Sequence, residues 1–122
     1  MKLAGIQIGT EDSKKLAEFY TKVFGKPQFM ESEWFGYEIS GVGYMVGPHS
    51  EVKGQNDCPG RIMIMFTADD VEAEFKRFEE LGAKVIAKPY QPDSEKNPTM
   101  WLATVADPDG NYIQIATPWD NQ

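Results

Sequence analysis

Hydrophobic and polar residues follow the same order in the two halves of the chain. In the first half, an alternating segment with Ile6 and Ile8 precedes a stretch whose apolar residues recur at helical spacing. In the second half, Ile62, Ile64 and Phe66 alternate with other residues before a similar stretch. Alternation is typical of a strand with one buried face, and the longer period is typical of an amphipathic helix. The pattern therefore predicts two copies of one structural unit.

Each predicted helix has a single apolar stripe and signals for both of its ends. Asp12 and Asp69 are candidate N-caps, and Gly25 and Gly82 are candidate left-handed stops. The predicted buried stripes comprise Leu16, Phe19, Tyr20 and Val23 in the first helix and Val71, Phe75 and Phe78 in the second.

Three extended segments are predicted after each helix. They cover residues 27–31, 34–40 and 42–47 in the first half and residues 83–88, 100–106 and 111–117 in the second. Each half then reads β-α-β-β-β, which predicts an α+β fold. We expect a single domain over residues 1–122, made of modules 1–48 and 61–119 joined by a polar linker at 49–60. A proline-rich loop at 89–98 either lines a binding site or is a surface excursion.

Composition excludes several classes of function. The formal net charge of −7 argues against nucleic-acid binding, which depends on Lys and Arg. The single Cys58 excludes an internal disulfide, and the single His49 excludes any site in one chain that needs two imidazoles. We set both residues aside as sites. No apolar run approaches the roughly 20 residues of a membrane span, so we expect no membrane insertion and a cytoplasmic protein.

Two motifs accompany this repeat. The first helix ends in Phe-Tyr-x-x-Val-Phe-Gly at 19–25, and Asp-Pro-Asp-Gly-Asn at 107–111 leads into the last strand segment, Tyr-Ile-Gln-Ile. The second motif is a hairpin turn with no chemistry of its own. Together with the repeat, the motifs resemble the vicinal oxygen chelate superfamily of glyoxalases, extradiol dioxygenases and fosfomycin- and bleomycin-resistance proteins. The resemblance implies curved mixed sheets, a ligand cleft between paired modules, and a homodimer.

The resemblance also implies a metal site, with a His or Gln in the first strand and a Glu in the last strand of each module. Here the matching positions hold Gly5 and Met63 in the first strands, Tyr44 or Met45 in the last strand of the first module, and Gln114 in the last strand of the second. Glycine has no donor atom, and methionine is a soft ligand. We expect that the metal site has been lost and that no cofactor is bound.

Strand parity predicts which side chains line the cleft. We expect one face of each strand to pack on the helices, and that face holds Ile6, Ile8, Ile62, Ile64, Phe66, Ile113 and Ile115. The alternate residues of these strands then face the ligand. Met63 and Met65 also fit a closed core between modules, and Trp34, Phe35, Tyr37 and Trp101 are candidate walls of which about half should be core. The predicted ligand-binding residues are Gln7, Tyr44, Arg61, Met63, Met65, Trp101, Tyr112 and Gln114.

These residues favour a metal-free protein that binds a small molecule, aromatic or cationic in character. The alternative is a lyase or isomerase that acts without metal on a small carbonyl or carboxylate substrate. Arg61 would then bind a carboxylate or stabilise an enolate, and Tyr44, Tyr112 or Glu38 would move the proton. No catalytic residue is assigned. A role in protein interaction is a third possibility for which the sequence offers no specific feature.

Overall fold

The computed structural model describes residues 1–119, and within that range the chain forms two compact units. The first covers Met1–Gln55, and the second begins at Asn56. The first unit contains β1 (Gly5–Thr10), α1 (Ser13–Phe24), β2 (Phe29–Glu31), β3 (Trp34–Ile39) and β4 (Val42–Pro48). The second contains β5 (Ile64–Thr67), α2 (Val71–Glu80), β6 (Lys84–Tyr90), β7 (Leu102–Ala106) and β8 (Tyr112–Ala116). The α+β class and the β-α-β-β-β repeat are confirmed. The end of the predicted domain, residues 120–122, lies outside the described residues.

Each unit has one mixed four-stranded sheet. Sheet A has the order β1-β4-β3-β2, and sheet B has the order β5-β8-β7-β6. The first strand of each unit pairs in parallel with the last, and the remaining pairs are antiparallel. The helix of each unit packs on one side of its own sheet. We call the other side the distal face of that sheet.

Aromatic residues form the core of the first unit. Leu16 and Tyr20 of α1 are fully buried against β4, where Val46 is also fully buried. The ring of Tyr20 lies 5.0 Å from that of Tyr44. Burial of side chains of this size contributes about 1.5–3 kcal/mol each. The predicted stripe of α1 is confirmed, because these residues all face the sheet.

Tyr44 corrects one of the sequence predictions. It was predicted to face a ligand, but it is only 2% exposed and lies between α1 and sheet A. The register explains this position, because Tyr44 pairs with Ile6, whereas Met45 pairs with Gln7. Successive residues of a strand point to opposite faces, so Met45 occupies the distal face and Tyr44 belongs to the core.

The core of the second unit combines aliphatic residues of the strands with phenylalanines of α2. Val105, Ile113 and Ile115 are fully buried, and Phe75 and Phe78 of α2 are buried as well. The N-cap of α2 is Asp70, whose side chain accepts a hydrogen bond from the Ala73 amide at 3.0 Å. The prediction of Asp69 was thus one residue early. Asp12 is confirmed as the N-cap of α1, accepting from Lys15.

Strand β5 begins later than the alternation predicts. Ile62 was expected to pack on the second helix, but it precedes β5 and is 75% exposed. Ile64 pairs with Ile113, so continuing that parallel register would place Ile62 opposite Asn111. The amide of Asn111 already bonds to Asp107 within the hairpin turn. Ile62 is therefore left outside β5.

The tight turn between β2 and β3 stores backbone strain. Ser32 and Glu33 have φ of 49° and 70°, the left-handed conformation that a two-residue type I′ turn requires. Neither residue type favours it, whereas Asn-Gly does. We expect the double change Ser32→Asn and Glu33→Gly to raise the free energy of unfolding by about 1–2 kcal/mol. Urea denaturation checks this, and an unchanged midpoint would show that the turn carries no such strain.

Candidate functional site

Three glycines shape the distal face of sheet A. Gly9 lies on β1, Gly36 on β3 and Gly47 on β4, and side chains from elsewhere in the first unit lie directly over each of them. A β-carbon at any of the three positions would meet these side chains at close range. Glycine inside a strand weakens it and often marks a close approach. Each of these glycines leaves the space that the side chain above it occupies.

The indole ring of Trp34 lies over Gly47. A Cβ at Gly47 would lie within 2.5 Å of three carbons of the indole ring, including its fused bond. The ring therefore lies flat on the Gly47 backbone with its other face directed away from the sheet. Trp34 is half-buried in this position. A fixed indole ring provides a large apolar surface for stacking.

Met45 continues this surface on the neighbouring row. Its sulfur would lie 2.9 Å from a Cβ at Gly36, and the Cβ of Phe29 would lie at 3.1 Å. Gln7 is the register partner of Met45, so its amide is on the same face. Phe29 is 43% exposed. We call Trp34, Met45 and Phe29 the platform; its apolar surface has the amide of Gln7 beside it.

Carboxylates flank the platform. Glu31 pairs with Trp34 in the β2–β3 register, and Glu38 pairs with Gly43 in the β3–β4 register. Both side chains share the distal face and are exposed. A stacked ligand bearing a positive charge would be favoured by their negative charge. The face is suited to planar, neutral or cationic molecules.

The distal face of sheet B brings three of the predicted residues together. Met65 pairs with Gln114, and Gln114 pairs with the buried Thr104 of β7. Tyr112 stands two residues before Gln114 on the same face and pairs with Ala106. The thioether of Met65 lies beside the amide of Gln114, and the phenol of Tyr112 lies two residues along β8 on the same face. This row provides apolar contact with hydrogen-bonding groups at its centre.

The remaining predicted residues lie elsewhere. Arg61 and Met63 precede β5 in an irregular segment and are exposed. Tyr44 is in the core, as described above. Trp101 stands just before β7, and its amide donates to Thr117 Oγ1 at 2.9 Å. It lines a hollow of about 340 Å³ at the N-terminus of α2, together with Asp69, Asp70, Val71, Glu72, Pro89, Thr99 and Thr117.

A larger hollow of about 680 Å³ lies between α1 and the β2–β3 hairpin. Ala17 and Thr21 of α1 face Met30 and Phe35 across it. Beneath it, the Tyr37 hydroxyl donates to the Ala17 carbonyl at 3.0 Å and lies 2.9 Å from Thr21 Oγ1. Burial raises the pKa of Tyr37 above its usual range, and the bond with Thr21 opposes that rise. These bonds assign Tyr37 a structural role.

The residues present do not fit a divalent metal. Gly5 has no donor atom, and the last-strand candidate of the first module that shares its face is Met45. Met45 pairs with Gln7, so this unit offers one thioether and one neutral amide. In the second unit, Met63 lies outside β5 and Gln114 supplies one neutral amide oxygen. Within residues 1–119 there is no group of three or more His, Cys, Asp and Glu side chains that could hold a metal ion. Metal ions of this class need several such ligands.

Comparison with known proteins supports the fold. The family model of the glyoxalase-like domain matches residues 5–116. A glyoxalase-related enzyme from Fulvimarina pelagi is similar, with 23% identity, a TM-score of 0.77, and coverage of 97% of this chain and 88% of that one. The genomically encoded fosfomycin resistance protein FosX from Listeria monocytogenes has 14% identity, a TM-score of 0.75, and coverage of 99% and 96%.

A glyoxalase/bleomycin resistance protein/dioxygenase family enzyme from Burkholderia phytofirmans has 22% identity, a TM-score of 0.71, and coverage of 96% of this chain and 98% of that one. The two modules define a protein of the vicinal oxygen chelate class. The chain belongs to the glyoxalase-like domain family. Among the helices of residues 1–119, neither is long and apolar enough to cross a membrane.

Sequence reasoning missed much of the platform. Trp34 was weighed only as a possible wall, Met45 only as an alternative to Tyr44, and Phe29 and His49 were not assigned. The available signal was the spacing of glycines within strands: Gly43 and Gly47 alternate with Tyr44 and Val46 on β4. Which side chain covers which glycine depends on pairing between strands, and that is not readable from one strand alone.

Proposed function

We propose that this chain is a small-molecule-binding protein that works without a metal and holds a planar ligand on the distal face of sheet A. The platform carries this proposal, since Trp34 lies flat over Gly47 with Met45 and Phe29 beside it. Binding sites combine apolar walls with a few placed polar groups, as Gln7 and the flanking carboxylates are here. Family membership supports small-molecule binding or catalysis in general.

The enzymatic alternative has lost one of its candidate residues. Tyr44 was a possible proton carrier, but it is buried against α1, where no substrate reaches it. Arg61 remains available as an exposed cation outside the strands. The platform itself offers stacking surface and hydrogen bonds, which bind a ligand without chemical change. For this reason we place binding ahead of catalysis.

A thermal-shift screen tests this function. Planar organic compounds, cationic and neutral, form one arm, and Ni²⁺, Zn²⁺, Mn²⁺ and Fe²⁺ form the other. A ligand at about 100 times its dissociation constant stabilises by about 2.7 kcal/mol, which raises the melting temperature by on the order of 10 °C. We expect such a shift with organic compounds and none with metals. A strong shift with metals alone would contradict the proposal.

A matched pair of tryptophan variants locates the site. Trp34→Ala removes the platform ring and should abolish the organic shift. Trp101→Ala removes a ring of similar exposure on the helix side of sheet B and should leave the shift intact. If both variants keep the wild-type melting temperature without ligand, equal loss of the shift would mean that binding does not depend on Trp34 specifically. Loss in Trp101→Ala alone would move the site to the α2 hollow. Both outcomes contradict the assignment to sheet A.

The homodimer and the cytoplasmic location belong to the same proposal. The first comes from the superfamily resemblance, and the second from the composition. Light scattering on the purified protein would measure its mass in solution against the 13.7 kDa of one chain.

A further inference from the structure

The single histidine of the chain stands at one end of the platform. The Cβ of His49 would lie 3.0 Å from a Cβ placed at Gly9, and its Cγ at 3.7 Å. The base of the His49 side chain therefore lies over Gly9, on the distal face of sheet A. Gly9 pairs with Gly47, and the ring of Trp34 lies over Gly47. His49 and Trp34 therefore lie over neighbouring strands, which are about 4.8 Å apart.

Several hydrogen bonds fix the segment that carries His49. The His49 amide donates to the Thr10 carbonyl at 3.4 Å, and the Val52 amide donates to the His49 carbonyl at 3.1 Å. The Gly54 amide donates to the Glu11 carboxylate at 3.0 Å. A γ-carbon of Val52 also packs over Gly9. The segment 49–54 is therefore a built wall at the end of the face.

The hydrogen bond at Nδ1 determines which ring nitrogen carries the proton. The Glu51 amide donates to His49 Nδ1 at 3.1 Å, so Nδ1 is an acceptor. A neutral imidazole with an accepting Nδ1 carries its proton on Nε2. Within residues 1–119 no hydrogen bond engages Nε2, and the side chain is exposed. An N–H donor thus stands at the edge of an apolar stacking surface.

We propose that His49 Nε2 donates a hydrogen bond to an oxygen on the edge of the ligand that stacks on Trp34. This inference rests on the proposed binding function and narrows its ligand class. The ligand is a planar ring system whose rim carries a carbonyl or a similar acceptor oxygen. Stacking holds the ring in place, and the hydrogen bond fixes its orientation within the plane.

Two substitutions distinguish a hydrogen bond from His49 Nε2 to the ligand from the structural role of His49 in its turn with Glu51. In His49→Asn, the Asn side-chain oxygen can still accept from the amide two residues later, that of Glu51. The variant lacks an N–H at the position of Nε2. His49→Gln places an amide N–H near the position of Nε2 but disrupts that turn. If His49 matters only for the loop, His49→Asn will behave as wild type and His49→Gln will not. A donor role gives the opposite result.

The probes are coumarin, a planar bicyclic lactone with a carbonyl oxygen, and naphthalene, a similar ring system without an acceptor. Equilibrium dialysis measures both dissociation constants in each variant. We expect His49→Asn to weaken coumarin about fivefold, the effect of one hydrogen bond, and to leave naphthalene within about twofold. His49→Gln should retain coumarin binding.

Equal effects of His49→Asn on the two probes, or no effect on either, would overturn the role of His49 while the binding function stands. If wild type binds neither probe, or if Trp34→Ala binds both as wild type does, the proposed binding function at this face fails together with the inference. The two failures are thus distinguishable.

Discussion

Replacing Gly47 by Ala is expected to expel Trp34 from the distal face of sheet A. The new methyl group would occupy the space of the indole ring, since three ring carbons lie within 2.5 Å of its position. The ring cannot shift slightly to avoid this overlap, because it lies flat on the backbone. We expect the free energy of unfolding to fall by about 2–3 kcal/mol, as in other overpacked sites. Planar ligands should no longer bind.

Gly43→Ala is the matched control for this experiment. Gly43 lies on the same strand and the same face, and its added methyl would meet the Ala4 carbonyl oxygen at an ordinary 3.6 Å. Urea denaturation should show a change within about 0.5 kcal/mol for this variant. The double variant Gly47→Ala with Trp34→Ala should recover most of the lost stability, because the two groups that collide are removed together. If Gly47→Ala were as stable as Gly43→Ala, the Trp34 ring could not lie flat on Gly47.

The order of the elements was predictable from the sequence because each element has its own period. The stripe that includes Leu16 and Tyr20 repeats at helical spacing, and both side chains are fully buried. Strand alternation likewise predicted that Ile113 and Ile115 would be core. These predictions need only local information, since burial of one face determines the pattern.

The site was less predictable because it depends on pairing between distant strands. The choice between Tyr44 and Met45 could not be made until Gln7 was known to pair with Met45. Arg61 and Met63 follow the alternation of the second module, yet the turn in which the Arg61 amide bonds to the Cys58 carbonyl delays the strand. A period of two continues through such residues without indicating whether a neighbouring strand is present to pair with them.

His49 shows the same limit in another form. A lone histidine in a polar linker has no sequence signal that separates a surface residue from a ligand contact. Its position follows from the absence of a side chain at Gly9, far away in the chain. The structure shows that the side chain of His49 lies over Gly9.

Asp107 is expected to be the most costly polar residue to remove. Its Oδ1 accepts from the amides of Asp109 and Asn111 at 2.9 and 3.0 Å, and its Oδ2 accepts from the Asn111 side chain at 2.9 Å. The carboxylate is only 4% exposed. Asp107→Ala leaves these donors without their acceptor inside a water-poor turn, where each such loss costs about 1–3 kcal/mol. Because three such bonds are lost together, we expect a total loss of at least about 3 kcal/mol.

Asp107→Asn separates the individual bonds in this turn. Its remaining oxygen can still accept from the two backbone amides, but its amide nitrogen cannot accept from Asn111. The Asn111 side chain also accepts a hydrogen bond from the Asn56 side chain at 2.9 Å. The orientation of Asn111 therefore affects how residues 56–58 pack on the hairpin. We expect Asp107→Asn to lose about half as much stability as Asp107→Ala in urea denaturation. Equal losses would mean that the Oδ2 bond to Asn111, and not the turn amides, accounts for the stabilisation by Asp107.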